Sequence, residues 1–211
     1  MKIHRLVFSP IEVNTYILED SSGDCAIIDC GCYDDSEFSR FETFLSSGKL
    51  RPVLVLNTHC HLDHIFGNRR LYNTFGLLPV YCELDEPNRL NAPQHAMLFG
   101  LKMDEPPGAE RFISHGDVIT FGPVNLKAIH VPGHTAGTIA FYSETDGVVF
   151  TGDSLFAGSI GRTDLPGGNY ETLINSIRNN LLTLPPDTVV YPGHGPETTT
   201  GREAKSNPYL A

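Results

Sequence analysis

The stretch Asn57-Thr-His-Cys-His-Leu-Asp-His-Ile-Phe-Gly-Asn68 places three histidines and one aspartate within six consecutive positions, 59 to 64. It directly follows the apolar run Pro52-Val-Leu-Val-Leu56, which predicts a buried strand. Four such side chains crowded into one loop repel one another or stay solvated unless something holds them together. A bound metal ion is the obvious candidate, so the stretch indicates a metal site beyond the end of a strand.

The spacing inside this loop predicts how its side chains point. If residues 59 to 62 are extended, alternate side chains face the same side, so His59 and His61 point one way and Cys60 points the other. A helix that begins near Asp63 then turns His64 back beside that aspartate. The loop therefore offers two pairs of ligands, displaced from each other, and Cys60 is assigned to packing.

Three more ligand-type residues follow apolar strands elsewhere in the chain. His134 and His194 each stand in a Pro-Gly-His sequence after a β-branched run, and Asp153 ends the run Val148-Val-Phe-Thr-Gly-Asp153. Together with the loop, this gives seven ligand-type residues, a number that fits two divalent ions. Imidazole with carboxylate suits zinc, with iron or manganese as alternatives. The predicted sets are His59, His61 and His134 for one ion, Asp63, His64 and His194 for the other, and Asp153 as a bridge.

The remaining sequence predicts strands in two batches, each completed by helices and a further strand. Pro87, Pro93 and Pro106-Pro107 make residues 83–110 the least regular segment, which resembles a lid or binding loop. We expect a single domain of residues 1–211, built from two sheet halves of approximately 1–121 and 122–211. Helices are expected at 34–47, 63–75, 94–102 and 170–182.

Composition narrows the classes of partner. The formal net charge of −10 argues against nucleic acid and against an anionic membrane surface as binding partners. Neither a signal sequence nor a membrane span is apparent. Five cysteines without a framework spacing suit a reducing compartment, so a cytoplasmic location is expected, whereas the oligomeric state stays open.

The motif Thr58-His-Cys-His-Leu-Asp-His64 resembles the T-H-x-H-x-D-H motif of the metallo-β-lactamase superfamily, and His134, Asp153 and His194 match its later ligands. The resemblance covers nearly the whole chain. It implies an α/β fold, a four-layer αββα sandwich with the metals at one edge, which agrees with the two batches of strands.

Within that superfamily the stretches AIIDCG, PGHTAGT, TGDSLFAGSIGRTDLPGG and YPGHGPETTTGREAKSNPYL are most similar to short glyoxalase II-like thioester hydrolases. Glyoxalase II carries a further C-terminal helical region that helps hold glutathione, whereas this sequence ends soon after His194. The thiol half of the substrate therefore stays open. By motif position, Arg162 falls where glyoxalase II has a basic residue that contacts substrate, with a surface salt bridge as the alternative role.

The predicted reaction is hydrolysis of a hydroxyacyl thioester such as S-lactoylglutathione by a hydroxide that bridges the two metals. Asp63 and Asp153 are the expected catalytic carboxylates: Asp63 binds metal and orients the hydroxide, and Asp153 bridges. No obvious proton donor for the leaving group is present. A thiol with a pKa of roughly 8.5 departs without one, whereas an amide nitrogen does not, so a thioester fits better than a β-lactam.

Three other functions use the same residues. A persulfide dioxygenase, from a sister group that shares Gly161-Arg-Thr-Asp164, would hold a single iron with His59, His134 and Asp153 and act on glutathione persulfide. Phosphodiester hydrolysis is chemically open to a dinuclear site, but the acidic charge and sparse basic residues disfavour it. A non-catalytic binding module is disfavoured because no ligand is missing.

Overall fold

The computed structural model describes residues 1–210, which form two six-stranded mixed sheets and a small hairpin. The first sheet has the spatial order β1 (Lys2–Phe8), β2 (Val13–Glu19), β3 (Asp24–Ile28), β4 (Arg51–Leu56), β5 (Pro79–Tyr81) and β6 (Arg111–Phe112). The second has the order β14 (Thr198–Thr199), β13 (Val189–Pro192), β10 (Val148–Gly152), β9 (Ile139–Ser143), β8 (Val124–His130) and β7 (Val118–Phe121). The hairpin pairs β11 (Leu155–Phe156) with β12 (Ser159–Ile160).

Each sheet combines an antiparallel meander with parallel strands that are reached through helices. β1 to β3 pair antiparallel, and β3 to β6 pair parallel. β7 to β10 pair antiparallel, β13 adds parallel to β10, and β14 returns antiparallel. The helices are α1 (Asp35–Gly48), α2 (Leu62–Ile65), α3 (Asn68–Phe75), α4 (Glu86–Leu98), α5 (Tyr170–Ser176) and α6 (Thr200–Ser206).

The two sheets pack face to face, and helices cover both outer faces. On β2, Tyr16 and Leu18 point into the core shared with Phe141 of the second sheet, while Ile17 points outward. The outer face of the first sheet packs on residues of α1 and α3, and that of the second packs on α5 and the π-helical turn Ile177–Leu181. β2 is buried on both faces from Val13 to Leu18 because it lies between the inner core and the outer helical layer. The predicted αββα sandwich is confirmed.

The boundary between the halves differs from the predicted one. The first half was expected to extend to residue 121, yet β7 pairs with β8 in the second sheet, so the change of sheet falls between Phe112 and Val118. The sequence indicates a strand at 118–121 and does not indicate its sheet. Sheet membership is decided by which neighbouring strand supplies the hydrogen bonds, and for β7 this is β8. The organisation as a single domain stays a prediction.

Two helices also differ from their predicted ranges. The helix expected at 63–75 is divided into α2 and α3, because the Gly67 N–H donates to the Cys30 carbonyl oxygen at 2.8 Å and so leaves the helical pattern. The helix expected at 94–102 begins much earlier, at Glu86. Pro87 fits its first turn, where no backbone N–H is needed, and Pro93 is accommodated inside the helix.

Phe141 is fully buried between the sheets, so truncating its side chain should strongly destabilise the fold. We expect Phe141→Ala to lower the free energy of unfolding by about 3–5 kcal/mol, because it removes apolar contacts and leaves a cavity. Phe112→Ala is the matched control, since Phe112 is 44% exposed on the edge strand β6, and it should cost about 1 kcal/mol or less. Urea unfolding of both variants provides the measurement, and equal losses would contradict the assignment of the core.

Candidate metal centre

The seven predicted ligands converge at one edge of the sandwich, on loops that follow β4, β8, β10 and β13. Backbone hydrogen bonds tie these loops together. The Ile139 N–H donates to the Thr58 carbonyl oxygen across the two sheets, and the Asn14 N–H donates to that of Gly193. The Asn14 side chain also donates to the Pro192 and Gly195 carbonyls on either side of His194. The ligand-bearing loops therefore belong to a rigid frame.

The first ligand group consists of His59, His61 and His134. The Nε2 of His134 lies 2.8 Å from the Nδ1 of His61 and 3.2 Å from the Nε2 of His59. Nitrogens that share one tetrahedral ion at about 2.1 Å stand about 3.4 Å apart, so the 3.2 Å separation is close to that value and the 2.8 Å separation is shorter, and the group is compact enough to hold a common ion. His59 and His134 are buried, and His61 is partly exposed, which leaves the group one open side.

The second ligand group consists of Asp63, His64 and His194. The Asp63 Oδ2 lies 3.2 Å from the Nε2 of His194 and 3.6 Å from that of His64. Asp153 lies between the two groups, because its Oδ2 is 3.7 Å from the His134 Nε2 and 3.6 Å from the His194 Nε2. Its Oδ1 is 3.3 Å from the His64 Nε2. One carboxylate thus faces both groups.

Two unpaired atoms test whether this site fits metal ions. The His64 Nε2 and the Asp153 Oδ1 are buried, and although they lie 3.3 Å apart, neither forms a hydrogen bond of good geometry with the other or with any further described residue. An orphaned nitrogen and an orphaned carboxylate oxygen in a protein interior are costly unless a further partner satisfies them. Divalent cations are the partners that both atoms accept, so the residues fit the ions that the sequence predicts.

Hydrogen bonds to the far ring nitrogens select which atom of each histidine faces the site. The Nδ1–H of His134 donates to the Arg162 carbonyl oxygen at 2.8 Å, and that of His194 donates to the Glu12 carbonyl oxygen at 3.1 Å. A carbonyl only accepts, so Nδ1 carries the proton and Nε2 keeps its lone pair for a metal. His64 is held in the same way, because its Nδ1 lies 2.9 Å from a carboxylate oxygen of Asp29.

Asp29 is a supporting residue that the sequence analysis missed. Its carboxylate also accepts the backbone N–H of Thr58 at 2.8 Å and the Thr58 hydroxyl at 2.6 Å. Since that hydroxyl proton is given to Asp29, the Thr58 oxygen is left to accept the Nδ1–H of His59, 3.0 Å away. Asp29 therefore orients one histidine of each group. Its position at the end of an apolar strand, like that of Asp153, was the available signal.

Asp85 is a second missed residue, and it joins the loops that carry the first group. It is fully buried, and its Oδ2 accepts the backbone N–H of Cys60 at 2.8 Å and the Thr135 hydroxyl at 3.0 Å. Its Oδ1 accepts the backbone N–H of Gly137 at 2.8 Å. Cys60 lies between two ligands, and Thr135 follows a third. No sequence signal marked Asp85, because it stands in the irregular segment far from every motif.

The pKa values divide the histidines of the site into neutral and protonated ones. Burial, followed by the positive charge of His64, holds the pKa of His59 well below its ordinary value. Burial and then His134 lower the pKa of His61 to about 3. These imidazoles are therefore neutral at physiological pH and already have the form in which histidine binds a metal.

The second group behaves in the opposite way. Burial alone would lower the pKa of His64, but the carboxylates of Asp153, Asp63 and Asp29 outweigh it and raise the pKa well above the ordinary value. The pKa of His194 is raised as well, because its hydrogen bond to Asp63 and the charge of Asp153 outweigh burial. Although burial opposes it, the charge of His64 lowers the pKa of both Asp63 and Asp153. Protons therefore occupy this end of the site when no cation does.

Gly193 shows why a glycine precedes His194. A Cβ at this position would lie 2.2 Å from the Asp153 Oδ1 and 2.7 Å from the His64 Cε1. Any side chain here would displace Asp153, which faces both groups, and His64 of the second group. The glycine is therefore required by the close approach of the backbone to the site.

Arg162 and Cys60, the two other residues singled out in the sequence, lie beside the ligands. The Arg162 carbonyl holds His134, while its guanidinium is largely exposed, lines the cavity beside the site and forms a two-pronged ion pair with Asp164. Its predicted contact with substrate stays a prediction. Cys60 is buried among Leu62, Ile65 and Tyr81, in agreement with the expected packing role.

The four-layer sandwich and its paired histidine and carboxylate groups define the class of metal-dependent hydrolases with this fold. The chain belongs to the metallo-beta-lactamase superfamily, whose family model matches residues 9–194. Membership implies divalent metal ions at the centre described above and confirms the resemblance drawn from the sequence.

Three known proteins are similar over essentially their full length. The chain is 38% identical to the probable metallo-hydrolase YqgX of Bacillus subtilis, with 100% of this chain and 98% of that protein covered. It is 37% identical, with the same coverage, to the hydroxyacylglutathione hydrolase GloC of Haemophilus influenzae. The crystal structure of BLEG-1 B3 metallo-beta-lactamase matches with a TM-score of 0.91 at 33% identity, and both chains are fully covered.

Within residues 1–210, no helix is both long enough and apolar enough to cross a membrane.

Asp85 generates the first prediction for the site. In Asp85→Asn one oxygen becomes an amide that faces a backbone N–H, of Cys60 or of Gly137, so the clamp between the loops opens. We expect the affinity of the first group (His59, His61 and His134) for a metal ion to fall by about 10- to 100-fold. Competition with a chromophoric chelator measures this affinity. Asp117→Asn, which alters a carboxylate that accepts a backbone N–H in an exposed turn, is the control. Unchanged affinity in Asp85→Asn would contradict the clamp.

The raised pKa values of His64 and His194 generate a second prediction. Both imidazoles are protonated below their raised pKa values, and a metal binds only their neutral forms, so loading should release protons and weaken as the pH falls. We expect release of about one to two protons per protein at pH 7. Calorimetric titration of zinc in two buffers of different ionisation enthalpy measures this number. Heats that do not depend on the buffer would refute the protonated second group.

Proposed function

We propose that the protein is a thioester hydrolase that cleaves a hydroxyacyl thioester, such as S-lactoylglutathione, into a hydroxy acid and a thiol. The proposed cofactor is a pair of divalent ions, zinc in the first instance, with iron or manganese as alternatives. The observation that carries the proposal is the position of Asp153, whose carboxylate faces both ligand groups. Similarity to a hydroxyacylglutathione hydrolase over the full chain supports the choice of substrate.

When bound, the two ions supply a hydroxide nucleophile at neutral pH and polarise the thioester carbonyl. Asp153 holds the two ligand groups at a fixed separation. The contacts of Asp63 with His64 and His194 are made by Oδ2, and its other carboxylate oxygen is assigned to accept a hydrogen bond from the attacking water and orient it. The hydrogen bonds from Asp29 and Asp85 hold the surrounding loops in register while the substrate enters and the products leave.

The leaving group favours a thioester over an amide. Outside the two ligand groups and Asp153, His95 and Arg162 are the ionisable side chains that line the cavity. Arg162 cannot donate a proton at physiological pH, so outside the ligand groups His95 is the one described side chain of the lining that could protonate a departing nitrogen. A thiol leaves as the thiolate and needs none. This argument separates the proposal from β-lactam hydrolysis, the activity class named for the BLEG-1 structure.

We further propose that the enzyme works in the cytoplasm on a small molecule and binds neither nucleic acid nor a membrane surface. All five cysteines are buried and free, which suits a reducing compartment. The net charge of −10 disfavours polyanionic partners.

The proposal is tested by an aerobic assay of the metal-quantified protein against S-lactoylglutathione, glutathione persulfide and a cephalosporin. We expect two metal ions per chain and turnover of the thioester without oxygen uptake. One iron per chain with oxygen consumption on the persulfide would instead establish the dioxygenase. Faster cleavage of the cephalosporin would establish a β-lactamase.

Single substitutions sharpen this test. Asp153→Asn should lose metal and reduce turnover by about 100-fold or more, because the bridge between the groups is removed. His194→Gln should have a comparable effect on a dinuclear hydrolase, whereas a dioxygenase that uses only His59, His134 and Asp153 would retain activity. His115→Gln, an exposed histidine away from the site, is the matched control. Full hydrolysis by Asp153→Asn with both metals bound would refute the bridging role.

A further inference from the structure

A cavity of about 440 Å³ opens beside the metal centre, within the size range of small-ligand sites. Its walls come from the turn between β1 and β2, from α4, and from the loop that follows β12. On α4 the lining residues stand at spacings of 7 and 10 to 11, which places them on one helical face. They are Asn88, His95, Leu98 and, at the helix end, Phe99.

Apolar side chains from all three segments face this cavity. Leu98 and Phe99 are 81% and 61% exposed, and Ile11 on the opposite wall is 40% exposed. Leu165 and Pro166 complete the rim. Large apolar side chains grouped around an opening to solvent are typical of a ligand-binding surface.

Positive charge is scarce on the same walls. Arg162 is the one lysine or arginine that lines the cavity in the part of the chain that the structure describes. Its guanidinium donates to both carboxylate oxygens of Asp164, at 2.8 and 2.7 Å. Carboxylate groups on a ligand are bound most strongly by free guanidinium or ammonium groups. A peptide thiol with two carboxylates would therefore meet one cation on these walls, and that cation is shared with Asp164.

We propose that Ile11, Leu98, Phe99, Leu165 and Pro166 form an apolar subsite that binds an uncharged, apolar substituent of the thioester substrate. This rests on the proposed function and defines its substrate class: thioesters with an alkyl or aryl group next to the reacting carbonyl or sulfur are preferred to glutathione thioesters. The apolar group lies against Leu98 and Phe99, and the metal centre holds the thioester group.

Two series of thioesters test the subsite and identify the half that it binds. One lengthens the acyl group on N-acetylcysteamine, an uncharged thiol, and the other keeps a lactoyl group and lengthens an alkyl thiol. We expect kcat/KM to rise by about two- to fourfold per methylene in one series, as apolar area is covered. The series that responds shows which half the subsite binds. No gain in either series, with S-lactoylglutathione the best substrate, would overturn the proposal.

Substitution on α4 provides the matched control. Leu98→Asp should abolish the gain with chain length, whereas Met97→Asp should keep it, because Met97 is 66% exposed on the same turn and does not line the cavity. Both positions are exposed, so both variants should fold, and far-ultraviolet circular dichroism checks this. Equal behaviour of the two variants would contradict a subsite at Leu98.

Binding separates failure of the subsite from failure of the proposed function. Non-hydrolysable S-alkyl thioethers of N-acetylcysteamine should bind more tightly with each methylene and with a negative heat-capacity change, and Leu98→Asp should remove both effects. If no thioester is hydrolysed but this pattern appears, the hydrolase proposal fails and the apolar subsite stands. If thioesters are hydrolysed without any dependence on chain length, the hydrolase stands and the subsite is wrong.

Discussion

The structure depends on one constraint: five imidazoles and two carboxylates, each within 4 Å of at least one other, have to be held together at the edge of a sandwich. Mutual attraction does not assemble the whole group, because the neutral His59 and His61 gain little from contact and the two carboxylates repel each other. The frame that holds it is the pair of sheets, whose strand ends lie at a common edge and whose inner core, around Tyr16 and Phe141, sets their separation.

Buried carboxylates outside the ligand sets orient the ligands and connect the loops that carry them. Asp29 orients His59 through Thr58 and His64 directly, and Asp85 connects the loops on either side of the first group. The two groups differ electrostatically, because the first contains only imidazoles and the second mixes them with carboxylates. The neutral His59 and His61 are therefore ready to bind a cation. The second group, in contrast, has to release protons when a cation binds.

The substrate cavity combines this polar floor with an apolar rim. α4 contributes most of one wall, and its length follows from the compatibility of Pro87 with a first helical turn. The rim bears a single paired arginine, so under the subsite that we propose, shape and apolar area would discriminate among substrates more strongly than charge. The metal centre and the rim would then have separate roles, one in the reaction and one in substrate selection.

The sequence by itself determined the chemistry of the site and the class of fold. Seven ligand-type residues each follow an apolar strand, and the dense motif at 58–64 is specific enough to identify the family. Local signals also placed α1 and most central strands within a residue or two. What only the tertiary structure decided are contacts between segments distant in sequence: the clamps of Asp29 and Asp85, the break at Gly67, the sheet to which β7 belongs, and the apolar rim. Each depends on which residues meet across the sandwich, and no local pattern of polarity or propensity encodes such a meeting.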